Sequence, residues 1–120
     1  MKLGNRFGIF GVALCTLLTA CGTNSSQSNA EKATLAALKD PSSAQFGEFT
    51  KYGDHGSYSC LSVNAKNTFG GYTGVQQATL KKNINEEWQV ESIDDVSHEA
   101  CIQALHDKCL LYNQHTGKTC

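Results

Sequence analysis

The residues with the most chemistry to offer are six cysteines and four histidines in a chain of 120 residues. His98–Cys101 and His106–Cys109 are two His-x-x-Cys pairs with metal-ligand spacing. On one helix, however, these four side chains would spread over roughly 140° of the circumference, too wide for a single ion. An oxidising compartment would also compete for the thiols, so no metal is expected. No nucleophile elbow, zinc-protease helix, phosphate loop or dinucleotide fingerprint occurs. His55 falls in a polar turn, and His98, His106 and His115 read as surface residues. The carboxylate pairs Glu86-Glu87 and Asp94-Asp95 are adjacent, and adjacent strand residues point to opposite faces. They read as turn-solvating and helix-capping groups. No catalytic residue and no cofactor is expected, and an enzyme acting on peptidoglycan or lipid is the weakest reading.

The first segment does carry a recognisable chemistry. Lys2 and Arg6 precede an apolar stretch, Phe7 to Leu18, too short and too glycine-broken for a membrane span. It ends in Leu18-Thr19-Ala20-Cys21. This order resembles the lipobox of bacterial lipoproteins. The resemblance implies cleavage before Cys21, with a diacylglyceryl group on its sulfur, and a thiolate is the right nucleophile for lipid transfer. Each buried methylene contributes about 0.8 kcal/mol, so several acyl chains hold firmly. Cys15 would leave with the leader. Gly22 follows the anchor where many inner-membrane lipoproteins have aspartate, which leans towards the outer membrane with the domain in the periplasm.

Of the ten basic residues, Lys2 and Arg6 belong to this leader, leaving eight against eleven acidic ones. With no basic run beyond Lys81-Lys82, nucleic acid is excluded as a partner. The expected division is a signal peptide over 1–20, a lipidated cysteine and flexible tether over 21–29, and one folded domain over 30–120. The tether, Gly22 to Asn29, is polar and would span roughly 15 Å as coil.

The elements that position everything else follow from periodicity. Ser28-Asn-Ala-Glu31 matches a capping box opening a short helix over Ala30–Lys39, with Leu35 and Leu38 on one face. Asp40-Pro41 stops it and starts a further short turn over Ser42–Gln45. Strand patterns cover Phe46–Tyr52, Tyr58–Ala65, Val75–Asn83 and Trp88–Ile93. In the first, Phe46, Glu48 and Tyr52 point one way, with Phe49 and Lys51 the other. Gly53 to Gly56 and Ile84 to Glu87 are turns. Ser97 caps a second helix, on which Cys101, Ile102, Leu105, Cys109 and Tyr112 form a stripe to be buried on the sheet. Asn113 to Cys120 reads as a polar tail. The fold class is α+β: a short N-terminal helix, a four-stranded antiparallel meander, and a C-terminal helix packed on the sheet.

A core this small needs covalent help. Cys60, Cys101, Cys109 and Cys120 make an even set for two disulfides. Cys101 with Cys109 is excluded, since eight helical residues separate them by about 12 Å. Cys60–Cys101 with Cys109–Cys120 and Cys60–Cys109 with Cys101–Cys120 remain. The first is favoured because it staples the final helix to the sheet.

Val63-Asn-Ala-Lys-Asn-Thr-Phe-Gly-Gly-Tyr-Thr-Gly74 is the most distinctive stretch. With Asp40 to Phe46 and the strand cysteine Cys60, it resembles a small domain of bacterial exported and membrane-anchored proteins, to which no activity attaches. That family often has glycine after the strand cysteine, where this chain has Leu61. Physically the loop is long for a hairpin. Asn64 and Asn67 are placed to hold its backbone, and Phe69 and Tyr72 to pin it to the sheet. It is either a self-packed loop or a binding surface, in which Lys66, Asn67, Phe69 and Tyr72 contact an envelope protein or a glycan. The functional expectation is a non-enzymatic, membrane-anchored lipoprotein that binds another envelope or incoming protein. The alternatives are an accessory subunit of an envelope assembly, or a phage or plasmid exclusion factor or hydrolase inhibitor.

Overall fold

The computed structural model describes residues 25–120. The leader, Cys15, Cys21 and Gly22–Asn24 lie outside the described residues. The chain runs α1 (Ser25–Leu35), a single 3-10 turn (Pro41–Ser43), β1 (Gln45–Tyr52), β2 (Tyr58–Asn64), β3 (Gln76–Lys82), β4 (Trp88–Asp94) and α2 (His98–Thr116). The strands form one antiparallel sheet in the order β1-β2-β3-β4. The fold is therefore α+β, with a meander and the C-terminal helix on the sheet.

The two helices lie on opposite faces of the sheet, and β2 is buried on both. On one face Leu61, Ala78, Leu80 and Trp88 pack with Ala30 of α1, and Phe46, Phe49, Val90 and Ile93 border them. On the other, Cys60 packs with Cys101 and Leu105 of α2, beside Tyr52, Tyr58 and Ile102. Leu61 is fully buried, so a glycine at this position would leave a hole in the α1 face. Simple alternation in β1 fails. Phe46 pairs with Val63 and Phe49 with Leu61, which share a face, because a bulge intervenes at Gly47-Glu48. The extra residue turns both phenylalanines to the α1 side and leaves Tyr52 opposite Tyr58 on the other.

The N-terminal helix is already formed at Ser25, ahead of the expected Ala30, and ends at Leu35, not Lys39. The segment 25–29 is thus helix rather than tether, and Ser28 lies within the helix instead of capping it. Polar residues give this stretch little helix propensity, but tertiary contacts prevail. The Trp88 indole N–H donates to Ser26 O at 3.1 Å, and Ala30 and Thr34 are fully buried. Glu31 accepts from Gln27 Nε2 at 3.0 Å. At the far end the amides of Ala37 and Leu38 bond back three residues, to Thr34 and Leu35, and the helix tightens out. Asp40, preceding Pro41, is held off the helical region (φ −127°, ψ 83°).

Ser97 caps α2 as expected, its Oγ accepting from the Ala100 amide at 3.1 Å. Gly117 closes the helix in the left-handed region, its amide bonded to Asn113 O. Much of the expected polar tail, up to Thr116, is therefore helical. Only two of the five residues of the expected stripe are buried. Cys101 and Leu105 are covered, while Tyr112 is 43% exposed. A helix of nineteen residues outruns a seven-residue strand, about 28 Å against about 23 Å. Both favoured disulfides are present. Cys60–Cys101 has a Cα separation of 6.2 Å, and Cys109–Cys120 of 5.6 Å. The second brings the chain end against the β1–β2 turn, where a Cβ on Gly53 would stand 2.5 Å from Cys120 O. With Cys101 and Cys109 oxidised, neither offers a thiolate to a metal.

Candidate functional site

An asparagine side chain organises the glycine-rich β2–β3 loop. Asn67 Oδ1 accepts from the Phe69 amide (2.9 Å) and the Gly71 amide (3.3 Å). Its backbone N–H donates to Gly71 O and its carbonyl accepts from Gly70. Gly70 takes φ 81°, which only glycine adopts freely. Below this turn Lys66 and Tyr72 form an antiparallel bridge, with Lys66 Nζ 5.5 Å from the Tyr72 ring centroid. The Lys66 amide donates to Ser43 Oγ at 2.8 Å, which ties the loop base to the 3-10 turn. Among the described residues Asn64 Oδ1 is buried without a hydrogen-bond partner, so Asn67 holds the loop while the Asn64 oxygen takes no part.

Phe69 does not pin this loop to the sheet. It is 95% exposed, and Tyr72 is about half exposed. An exposed phenylalanine forgoes about 2–3 kcal/mol of burial, here on a backbone fixed by at least four local hydrogen bonds. Lys66, Asn67, Phe69 and Tyr72 thus come together as one structured tip. Beside its base lies a hollow of about 190 Å³ bordered by Leu38, Lys39, Ala65, Lys66 and Ile93. That volume suits a single side chain better than a small-molecule ligand, whose pockets start near 300 Å³.

The same turn recurs between β3 and β4. Asn83 Oδ1 accepts from the amides of Asn85 (2.8 Å) and Glu87 (3.0 Å). The Asn83 amide donates to Glu87 O, and its carbonyl accepts from Glu86. Glu86 occupies the left-handed position that Gly70 fills in the other loop, at φ 63°. This turn also displays one apolar residue, Ile84, at 98% exposure. Because strands β2, β3 and β4 are antiparallel neighbours, the two tips point from opposite ends of the sheet. Replacing Glu86 by glycine relieves the backbone and gives up only an exposed ion pair with Lys82. Glu86→Gly should raise unfolding stability by about 0.5–1 kcal/mol in urea titration. A neutral or negative change would show that the turn carries no strain.

His98 is not the surface residue its sequence suggests. Its side chain is 10% exposed, held between the start of α2 and the sheet. Nδ1 lies 2.8 Å from Gln77 Oε1, an oxygen that only accepts, so the ring donates there. Nε2 then accepts from Thr50 Oγ1 at 2.9 Å in the neutral ring. Ser62 Oγ donates to Gln77 Oε1 (3.1 Å) and accepts from Gln77 Nε2 (3.0 Å). Ser62 stands 3.4 Å from His98 Nδ1, but that nitrogen's proton is already committed to Gln77. The hydroxyl is also buried, so this is a polar lock on the helix rather than an activated nucleophile. No sequence signal marks it, since its members come from three strands and a helix. His106 meets the Tyr52 hydroxyl at 2.6 Å on the exposed side of α2.

Among the described residues no helix is long and apolar enough to cross a membrane, and no cluster of three or more His, Cys, Asp or Glu could hold a metal ion. No family model, curated protein or solved structure matches the chain.

Proposed function

We propose that the protein is a non-enzymatic lipoprotein of the bacterial envelope, lipid-anchored through Cys21, whose β2–β3 tip binds another protein. The observation that carries the binding half is the rigid display of Phe69 at 95% exposure beside Lys66 and Tyr72. An ordered loop with an aromatic at its apex has already met the ordering cost that weakens flexible binders. Aromatic anchors dominate interface energetics. Two disulfides in so small a domain suit an oxidising compartment. The lipobox Leu18-Thr19-Ala20-Cys21 supports the anchor.

A benzophenone-bearing amino acid placed at position 69 and irradiated in living cells should give a discrete protein adduct. The same group at position 84 should not give that adduct. Asn67→Ala removes the acceptor of two loop amides, worth about 1 kcal/mol, so the yield at 69 should fall about fivefold. Equal adducts from both positions, or none from 69, would overturn the binding reading. The anchor is tested separately by intact mass: the wild-type chain should begin at Cys21 and carry acyl groups that Cys21→Ala lacks.

A further inference from the structure

We infer that the β3–β4 turn is a membrane-docking tip, with Ile84 seated in the lipid interface beside the anchor. The inference rests on lipidation of Cys21 and goes beyond it by assigning the domain a fixed orientation. Its starting point is the early onset of α1. Only Gly22, Thr23 and Asn24 separate Cys21 from Ser25, the first described residue and already helical. Four extended residue steps reach at most about 14 Å. The headgroup layer above the hydrocarbon takes roughly 6 Å of that. A helix that begins so near the lipid cannot let its own end of the domain drift away.

That end is the one carrying Ile84. The Trp88 indole bonds to Ser26 O in the first turn of α1, and Trp88 pairs with Lys82 across the strands. Asn29 and Lys32 of α1 share one hollow with Asn83, Glu86 and Glu87 of the turn. Ile84 lies two residues beyond Lys82, at most about 7 Å further along the strand direction, a distance comparable with the remaining gap to the headgroups. The end of α2 joins the same side, where Tyr112 and Cys120 border a hollow with Lys82. Tyr112 is 43% exposed there, an aromatic of the type that settles at lipid interfaces.

The tip is chemically suited to this contact. Ile84 is 98% exposed on a turn whose Asn85, Glu86 and Glu87 amides all bond to Asn83. Its two carboxylates are engaged locally: Glu86 meets Lys82 Nζ at 3.0 Å, and Glu87 accepts from Asn83 Nδ2 at 2.9 Å. The ordinary structural role of a hairpin turn does not call for a fully exposed isoleucine. A bilayer surface accommodates one, and a turn so seated leaves the Phe69 tip facing away from the membrane.

The test uses full-length acylated protein in phosphatidylethanolamine–phosphatidylglycerol vesicles that contain a lipid with a photoactivatable diazirine in its acyl chain. After irradiation, reduction and trypsin digestion, lipid label should appear at Ile84 in the peptide Asn83–Lys108 and not in Asn67–Lys81. Ile84→Asp, a change at an exposed position, should cut the label about tenfold. If Cys21 carries acyl groups in the same digest but the turn is unlabelled, or both peptides are labelled equally, the docking inference is overturned while the anchor stands. If Cys21 carries no acyl group, both are overturned.

Discussion

Removing the Cys60–Cys101 bridge by Cys60→Ala with Cys101→Ala should cost the domain about 4–5 kcal/mol. The bridge closes a separation of 41 residues, joining the central strand to the last helix. Loop-closure entropy alone assigns about 4 kcal/mol to a loop of that length. Both sulfurs are also buried, at 0% and 3% exposure, so their loss opens space between sheet and helix and adds to the cost. The total is comparable to the whole stability of a small domain, about 5–15 kcal/mol. The melting temperature should fall by roughly 20 °C or more. Cys109→Ala with Cys120→Ala is the internal control. That bridge spans 11 residues and fastens only the chain end, so its loss should be smaller and confined to the tail and the last turns of α2. Urea titration of both variants decides the point. A cost below about 1 kcal/mol for the first pair would mean that α2 is held by its other contacts.

Those other contacts also mark the limit of what the sequence revealed. All four strands are legible to within a residue at either end, because β-prone runs are bounded by glycine- and asparagine-bearing turns. Ser97 and the exclusion of a Cys101–Cys109 bridge were equally readable, since both are local geometry. The misreadings share a cause. Residues 25–29 look like linker by composition, and the contacts that hold them helical include a bond from Trp88, sixty-two residues away. Phe46 and Phe49 violate alternation through a bulge, whose single extra residue leaves no mark in the pattern. His98 looks like surface because Thr50, Ser62 and Gln77 are brought to it by strand pairing. The glycine-rich loop is distinctive in the sequence, which leaves open whether Phe69 pins it or is displayed by it; the structure leaves Phe69 95% exposed. Composition alone cannot separate an aromatic that pins a loop from one that the loop presents. The turn over Ile84–Glu87 is legible in the sequence, but its match to the Asn67 turn is not: Gly70 advertises its backbone conformation, and Glu86 conceals the same one.

Trp88 joins these threads, and Trp88→Ala should destabilise the domain by about 3–5 kcal/mol. The ring is 7% exposed, stacks edge-on against Phe49 with centroids 6.3 Å apart, and has Lys82 Nζ 5.4 Å from its centroid. Its N–H reaches Ser26, so it also ties the Ser26 end of α1 to the sheet. Trp88→Phe separates these roles. It preserves an aromatic ring for Phe49 and removes the donor, which should cost only about 1 kcal/mol beyond the loss of volume. In amide hydrogen exchange, Trp88→Phe should strip protection from the first turns of α1 while β2 and β3 stay protected. If the amides of residues 29–32, which bond back to the first turn, exchange as slowly as in the wild type, the indole bond is not what holds that end of the helix. The consequence reaches the membrane. A frayed α1 would lengthen the connection between Cys21 and the domain by up to two turns of released chain. The lipid labelling of Ile84 should then fall in Trp88→Phe although Ile84 itself is unchanged.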